Sequence, residues 1–228
     1  MFFCFSNNPY IAIIGDLMES KKIQARGEIQ EKLKEVLNSI NSIYTNDISS
    51  NFIITLGDEF QGLLCRGENV MKILSEIEDR MYPVKIRFGI GVGAITTEIN
   101  RSMAIGADGP AYYKAREAME YLREQEKRKQ TVTANMRFEF EDGNQEIETM
   151  INTILGLLTV MKNSWSNRQR EVISDMMKHQ DSQKNAAQRL NIQQPTVQKI
   201  LSKGNYYSYK DAFNTVGRAL EEIKHDNI

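Results

Sequence analysis

Residues 52–64 read Phe52-Ile53-Ile54-Thr55-Leu56-Gly57-Asp58-Glu59-Phe60-Gln61-Gly62-Leu63-Leu64. Two runs of β-branched, aromatic and aliphatic residues flank Gly57-Asp58, a pair suited to the tight turn between antiparallel strands. The stretch predicts a hairpin that carries two acidic side chains, Asp58 and Glu59, at its tip. A second Gly-Asp pair, Gly15-Asp16, ends the apolar run Tyr10-Ile11-Ala12-Ile13-Ile14. Either pair alone reads as ordinary turn chemistry that closes a strand. If the two strand ends are neighbours in one sheet, Asp16 and Asp58 converge, and two carboxylates form a site for a hard divalent cation, Mg²⁺ or Mn²⁺.

Working outward, residues 26–44 place Ile29, Leu33, Val36, Leu37, Ile40 and Ile43 at helical spacing, and residues 69–81 do the same with Val70, Ile73, Leu74 and Ile77. Residues 84–95 alternate as a strand, and Gly89, Gly91 and Gly93 within it imply close approach of another backbone or a ligand. Gly89-Ile90-Gly91-Val92-Gly93 lies inside a strand rather than opening a helix, so it is no dinucleotide fingerprint. Pro110 follows a turn cluster and suits the first turn of a helix running to about Glu126. Residues 130–140 predict one or two further short strands. The order βαββαβ, then a helix, gives an α+β domain with a ferredoxin-like antiparallel sheet and helices on one face.

This α+β domain is expected over residues 1–142, a helical connector over 143–163 and an all-α domain over 164–228. The connector's apolar residues (Ile147, Met150, Ile151, Ile154, Leu155, Leu158) pack either on their own domain or against a second subunit. In the tail, Ser166 and Gln169 match a capping box, residues 183–190 a short helix, Asn191 a left-handed turn residue and residues 193–201 a third helix. That is the spacing of a helix-turn-helix, whose second helix enters the major groove, although a plain helical bundle has the same elements. The candidate DNA contacts are Gln193, Gln194, Thr196, Gln198 and Lys199, with Arg168, Arg170 and Lys203 on the phosphates. Tyr206, Tyr207 and Tyr209 read as packing residues of a last helix.

Bulk properties are those of an ordinary soluble protein, with 41% hydrophobic and 26% charged residues and a net charge of −1. Charge is unevenly spread: 19 basic residues stand against 23 acidic ones over residues 1–162, and 10 against 7 over residues 163–228. The sign is right for a tail that touches a polyanion. Two cysteines and two histidines exclude a disulfide framework and the usual zinc ligand sets. The apolar start at residues 1–5 is short, lacks a basic leader and is not read as a signal peptide, and no run reaches a membrane span. A cytoplasmic location is expected.

Four segments together resemble the SatD family of bacterial proteins: Tyr10-Ile-Ala-Ile-Ile-Gly-Asp-Leu-Met-Glu-Ser-Lys-Lys, Ile54-Thr-Leu-Gly-Asp-Glu-Phe-Gln-Gly-Leu, Arg87-Phe-Gly-Ile-Gly and Ile105-Gly-Ala-Asp-Gly-Pro-Ala. With the C-terminal helix-turn-helix the resemblance covers nearly the whole chain. The N-terminal part is also similar, more distantly, to the catalytic domain of nucleotidyl cyclases. That likeness implies metal-binding roles for Asp16 (followed by Leu17) and Asp58, 42 residues apart. It places the cyclases' late-helix arginine, which counters transition-state charge, near Arg116. It departs at the purine-reading lysine, which is Ile54 here, and at the ribose-holding asparagine, which falls near Tyr112. Metal and phosphate binding are thus better supported than cyclisation.

Three functions compete. The first is a DNA-binding regulator, a homodimer in which the cyclase-like domain binds an Mg-nucleotide or only dimerises. The second is a nucleotidyl cyclase or another enzyme that processes a nucleoside triphosphate; Met18, Glu19, Ser20 and Lys21 or Lys22 then bind phosphates at a helix start. The third is a ligand-free dimerisation scaffold.

Overall fold

In a computed structural model, which describes residues 8–18, 26–128, 134–142 and 145–225, the run at residues 10–17 is the central strand of a five-stranded sheet. The apolar start at residues 1–5 and residues 130–133, the first part of the segment expected to give one or two short strands, lie outside the described residues. The elements are β1 (Tyr10–Leu17), α1 (Arg26–Ile43), β2 (Ile48–Leu56), β3 (Glu59–Leu64), α2 (Val70–Met81), β4 (Ile86–Gly93), α3 (Pro110–Arg128) and β5 (Met136–Phe140). Then follow α4 (Gln145–Asn163), α5 (Asn167–His179), α6 (Gln183–Arg189), α7 (Gln194–Lys203) and α8 (Tyr206–Leu220). The strand order is β2-β3-β1-β4-β5. The first four strands are antiparallel throughout, the arrangement of a ferredoxin-like split βαβ, and β5 joins β4 in parallel through α3. Gly57 sits at φ +64° in the β2–β3 turn, a conformation that a side chain would strain.

Period-two alternation sorts the sheet's two faces. Ile11, Ile13, Phe52, Phe60, Phe88, Ile90 and Phe138 point to one face and pack with Leu33, Leu37 and Ile40 of α1 and Ile73, Leu74 and Ile77 of α2. Full burial of each such side chain contributes about 1.5–3 kcal/mol. The helices α4 and α8 join this layer, which is the face expected to carry helices. The second face is covered too: Ala12, Ile14 and Leu63 meet Ala111, Tyr112, Ala115 and Met119 of α3. Gly89 and Gly91 make this possible, because a Cβ at Gly91 would stand 2.0 Å from the Ala111 carbonyl oxygen. The close approach read from these glycines is therefore the backbone of α3.

The tail begins as its capping box dictates. The Ser166 hydroxyl accepts from the Gln169 amide at 3.3 Å while the Gln169 carboxamide accepts from the Ser166 amide at 2.9 Å. Val172, Ile173, Met176, Ala186, Ala187, Val197, Leu201 and Tyr206 form the tail's own small core. Beyond Tyr206 the last helix changes sides: Tyr209, Phe213, Val216 and Leu220 belong to the core of the sheet's helical layer. The chain end follows it, with the His225 amide donating to Cys65 O at 2.8 Å and Tyr10 Oη bonded to His225 Nε2 at 2.8 Å. A buried ion pair between Lys162 and Glu78 reinforces the join, and Asn135 donates to Glu78 at 2.8 Å. Burial alone would lower the Lys162 pKa, but Glu78, with Tyr209 and Asp79, raises it above the ordinary lysine value.

Among the described residues no helix is long and apolar enough to cross a membrane. The packing of α3 predicts that Gly91→Ala destabilises the protein by about 3 kcal/mol through overpacking. Gly156→Ala, at a helical site with nothing within 4 Å, should stabilise it by about 0.5–1 kcal/mol. Urea denaturation measures both.

Candidate functional site

The two strand ends meet. Asp16 is the cross-strand partner of Glu59 on one side and of Arg87 on the other. The Leu17 amide donates to the Asp58 carbonyl at 3.1 Å, so the hairpin tip lies against the end of β1. Even-numbered residues of β1 and odd-numbered residues of β3 and β4 share the α3 face, and that phase puts Asp16, Glu59 and Arg87 in one row.

The Asp16 carboxylate is buried and held from two sides. Arg87 Nη1 donates to Oδ1 at 3.1 Å and to Oδ2 at 3.0 Å. Arg123, from the last turns of α3, donates to Oδ2 through Nε at 3.1 Å and Nη2 at 2.7 Å. Arg123 Nη2 also lies 3.5 Å from Glu59 Oε2, and Arg87 Nη2 bonds the Glu126 carboxylate. Burial disfavours the charge on Arg123, but its hydrogen bonds to Asp16 and the nearby carboxylates raise its pKa above the ordinary arginine value. Three carboxylates against two guanidiniums leave one negative charge in excess, before Asp58 is counted.

Among the described residues no cluster of three or more His, Cys, Asp or Glu side chains is placed to hold a metal ion. Two carboxylates on adjoining strand ends suit Mg²⁺ or Mn²⁺, which are commonly held by one or two carboxylates together with phosphate oxygens and water. A cation already occupies the place between Asp16 and Glu59: the Arg123 guanidinium.

The other sequence-predicted residues fall out as follows. Met18 follows β1 directly, its amide donating to Lys85 O at 2.8 Å. Glu19, Ser20, Lys21 and Lys22 lie outside the described residues. Arg116 sits seven residues before Arg123, about 10 Å along the helix, and faces Asp108 at 3.8 Å rather than Asp16. Periodicity did not single out Arg123 or Glu126. Arg87 left two signals, a charge inside an otherwise apolar strand and its place at the head of the segment Arg87-Phe-Gly-Ile-Gly.

In the tail, α6 and α7 are joined by residues 190–193, with Asn191 at φ 50° and the Ile192 amide bonded to Ala187 O at 2.9 Å. Val197 and Leu201 are buried, whereas Gln193, Gln194, Thr196, Gln198, Lys199 and Lys203 are all exposed, as is Arg168. Gln183 gathers part of this face, accepting from Gln194 at 2.8 Å and donating to Gln198 at 2.5 Å and to Tyr207 Oη at 3.0 Å. Arg170, read as a phosphate contact, turns inward instead. It stacks 4.5 Å over the Tyr82 ring and donates through Nη2 to Lys162 O at 2.8 Å, drawn there by the aromatic face and the carbonyl, while its Nε stays buried without a partner.

The SatD family model matches residues 10–212. The chain belongs to the SatD family. A search of curated proteins finds no match. Among solved structures, this SatD-family chain is similar to a bacterial light-regulated adenylyl cyclase (TM-score 0.42, 12% identity, 57% of this chain and 74% of that one). It is also similar to the guanylate cyclase domain of RhGC from Catenaria anguillulae in complex with GTP (TM-score 0.36, 12% identity, 49% and 72%). A third is an EAL/GGDEF domain protein from M. capsulatus (TM-score 0.37, 14% identity, 58% and 86%).

The buried pair sets a stability expectation for the SatD-family chain. Arg87→Met should cost about 3 kcal/mol, the low end for breaking a buried ion pair, because Arg123 still holds Asp16. Combining it with Asp16→Asn should cost about 1–3 kcal/mol less than the sum of the single changes in a double-mutant cycle read by urea denaturation.

Proposed function

We propose that this SatD-family protein is a cytoplasmic DNA-binding regulator, acting as a homodimer, whose α+β lobe binds a metal–nucleoside triphosphate. The observation that carries the DNA half is the outward face of α7. Its apolar residues Val197 and Leu201 are spent on the tail core, which leaves a row of amides and ammoniums in solvent. Gln194 and Gln198 have the donor–acceptor pair that adenine requires, and Lys199, Lys203 and Arg168 supply charge for guanine edges or phosphates. A dimer would read two half-sites about one helical turn apart.

The α+β lobe supplies the ligand half. Asp16 and Asp58 hold Mg²⁺ or Mn²⁺, and the segment after β1, from Met18 through Glu19, Ser20 and Lys21, receives the phosphates. When bound, the metal would neutralise phosphate charge. A second reading, an enzyme that turns the nucleotide over, is favoured by the two guanidiniums beside Asp16, which suit charge developing on a transferring phosphoryl group. In that reading Arg116 acts on the transition state from outside its own protomer's Asp16 cluster, so the homodimer is required.

The DNA reading is tested by selecting bound duplexes from a random pool and titrating the winner in fluorescence anisotropy. Gln194→Ala with Gln198→Ala should erase sequence preference while non-specific binding persists at low salt, and Lys199→Ala should weaken all duplexes alike. Undiminished preference in the double variant contradicts the reading.

A further inference from the structure

Arg123 stands out among the partners of Asp16 because it reaches the carboxylate from α3 rather than from the sheet. Arg87 is on β4, hydrogen-bonded into the strand ladder opposite Asp16, and its side chain is 9% exposed. Arg123 reaches the same carboxylate from α3 on a long, flexible stem, and 43% of its side chain faces solvent. Its guanidinium spans Asp16 and Glu59 at 2.7 and 3.5 Å, so it neutralises two of the carboxylates that give this corner its negative charge. A guanidinium between two carboxylates and a divalent cation on Asp16 draw on the same oxygen lone pairs. They cannot both be accommodated at full strength.

We propose that Arg123 is a tethered cation that competes with the divalent metal for Asp16 and, once displaced, becomes a ligand of the polyphosphate that arrives with the metal. The inference rests on the metal–nucleotide reading above and names the residue that couples its two components. Displacement is open, because 43% of the Arg123 side chain faces solvent and Arg87 Nη1, shared between both Asp16 oxygens, remains when Arg123 leaves. The guanidinium fork that fits a carboxylate fits a phosphate equally well, and there it meets more negative charge. The metal alone has to dislodge Arg123 without compensation, whereas metal with polyphosphate gives the displaced cation a new partner. The site therefore discriminates against free metal ions and favours the metal–polyphosphate complex.

The competition predicts effects of opposite sign from one substitution. Free Mn²⁺ is followed by electron paramagnetic resonance while full-length protein is titrated, first with Mn²⁺ alone and then with Mn²⁺ and tripolyphosphate or ATP. Arg123→Gln should bind Mn²⁺ alone about threefold to tenfold more tightly than wild type, and lose about tenfold of the gain in affinity that tripolyphosphate or ATP confers, the scale of one charge-assisted contact. Arg123→Lys, which keeps a charge but not the fork, should fall between the two on both counts. Thermal unfolding without ligand confirms that each variant is folded. Unchanged or weaker binding of Mn²⁺ alone by Arg123→Gln overturns the inference, and so does an undiminished polyphosphate gain. If Mn²⁺ binding is lost in Asp58→Asn but is blind to Arg123, the inference alone fails. If wild type and Arg123→Gln bind neither Mn²⁺ nor its polyphosphate complex, the metal–nucleotide reading fails and takes the inference with it.

Discussion

A carboxylate out of water must be paired, and the pairing of Asp16 organises the centre of this protein. The central strand delivers Asp16 to a position where β4 and α3 each contribute a guanidinium partner, while β3 sets the like-charged Glu59 beside it. Removing one partner leaves buried charge uncompensated, at a cost of several kcal/mol. The same cost argues that the cluster is kept for more than stability, since apolar side chains of equal size would hold such a corner as well. Its excess negative charge, its place at the ends of two strands and its half-exposed arginine are the features on which the proposed exchange of cations rests.

A second constraint ties this corner to the tail. The loop after α2 touches both: Lys85 O accepts from the Met18 amide, and Tyr82 donates to Asn167 Oδ1 at 2.7 Å while its ring lies beneath Arg170. Alongside it, Lys162 and Glu78 form a buried pair, and α8 carries Tyr209, Phe213 and Val216 into the core of the sheet's helical layer. The tail is therefore anchored at its first helix and at its last, with α6 and α7 held outward between the anchors. In the regulator reading, a change at the end of β1 has a short, packed route to the base of the helices that face DNA. Such a route conveys a signal only if one of its elements has two arrangements, and the Arg123 contact supplies a candidate.

Local signals in the sequence were legible because they have local causes. The apolar spacing of α1 and α2, Pro110 at the start of α3, the Ser166–Gln169 box and the left-handed Asn191 each reflect a rule that acts within a few residues. The meeting of Asp16 with the hairpin tip was legible as a condition, that the two strand ends be neighbours in one sheet, and the observed pairing of β1 with β3 meets it. Arg123 was not. Which cation of α3 reaches the sheet depends on the helix's phase and crossing position, and both are set by Gly89 and Gly91 beneath it rather than by the α3 sequence. Arg116 and Arg123 are equivalent on a helical wheel to within the drift of one heptad, so periodicity cannot choose between them. Likewise the apolar residues of α8 gave no sign of which core they would enter, and Arg170 gave none that an aromatic ring would claim it.

The measurement that bears most directly on the central claim is thermal unfolding of the full chain with Mg²⁺ or Mn²⁺, ATP or GTP, and both together, in wild type beside Asp58→Asn. A ligand that binds only the native state raises the midpoint by mass action. The account predicts a rise in wild type when metal and nucleotide are both present, and its loss in Asp58→Asn. A rise of equal size in both proteins, or no rise under any combination, would contradict it.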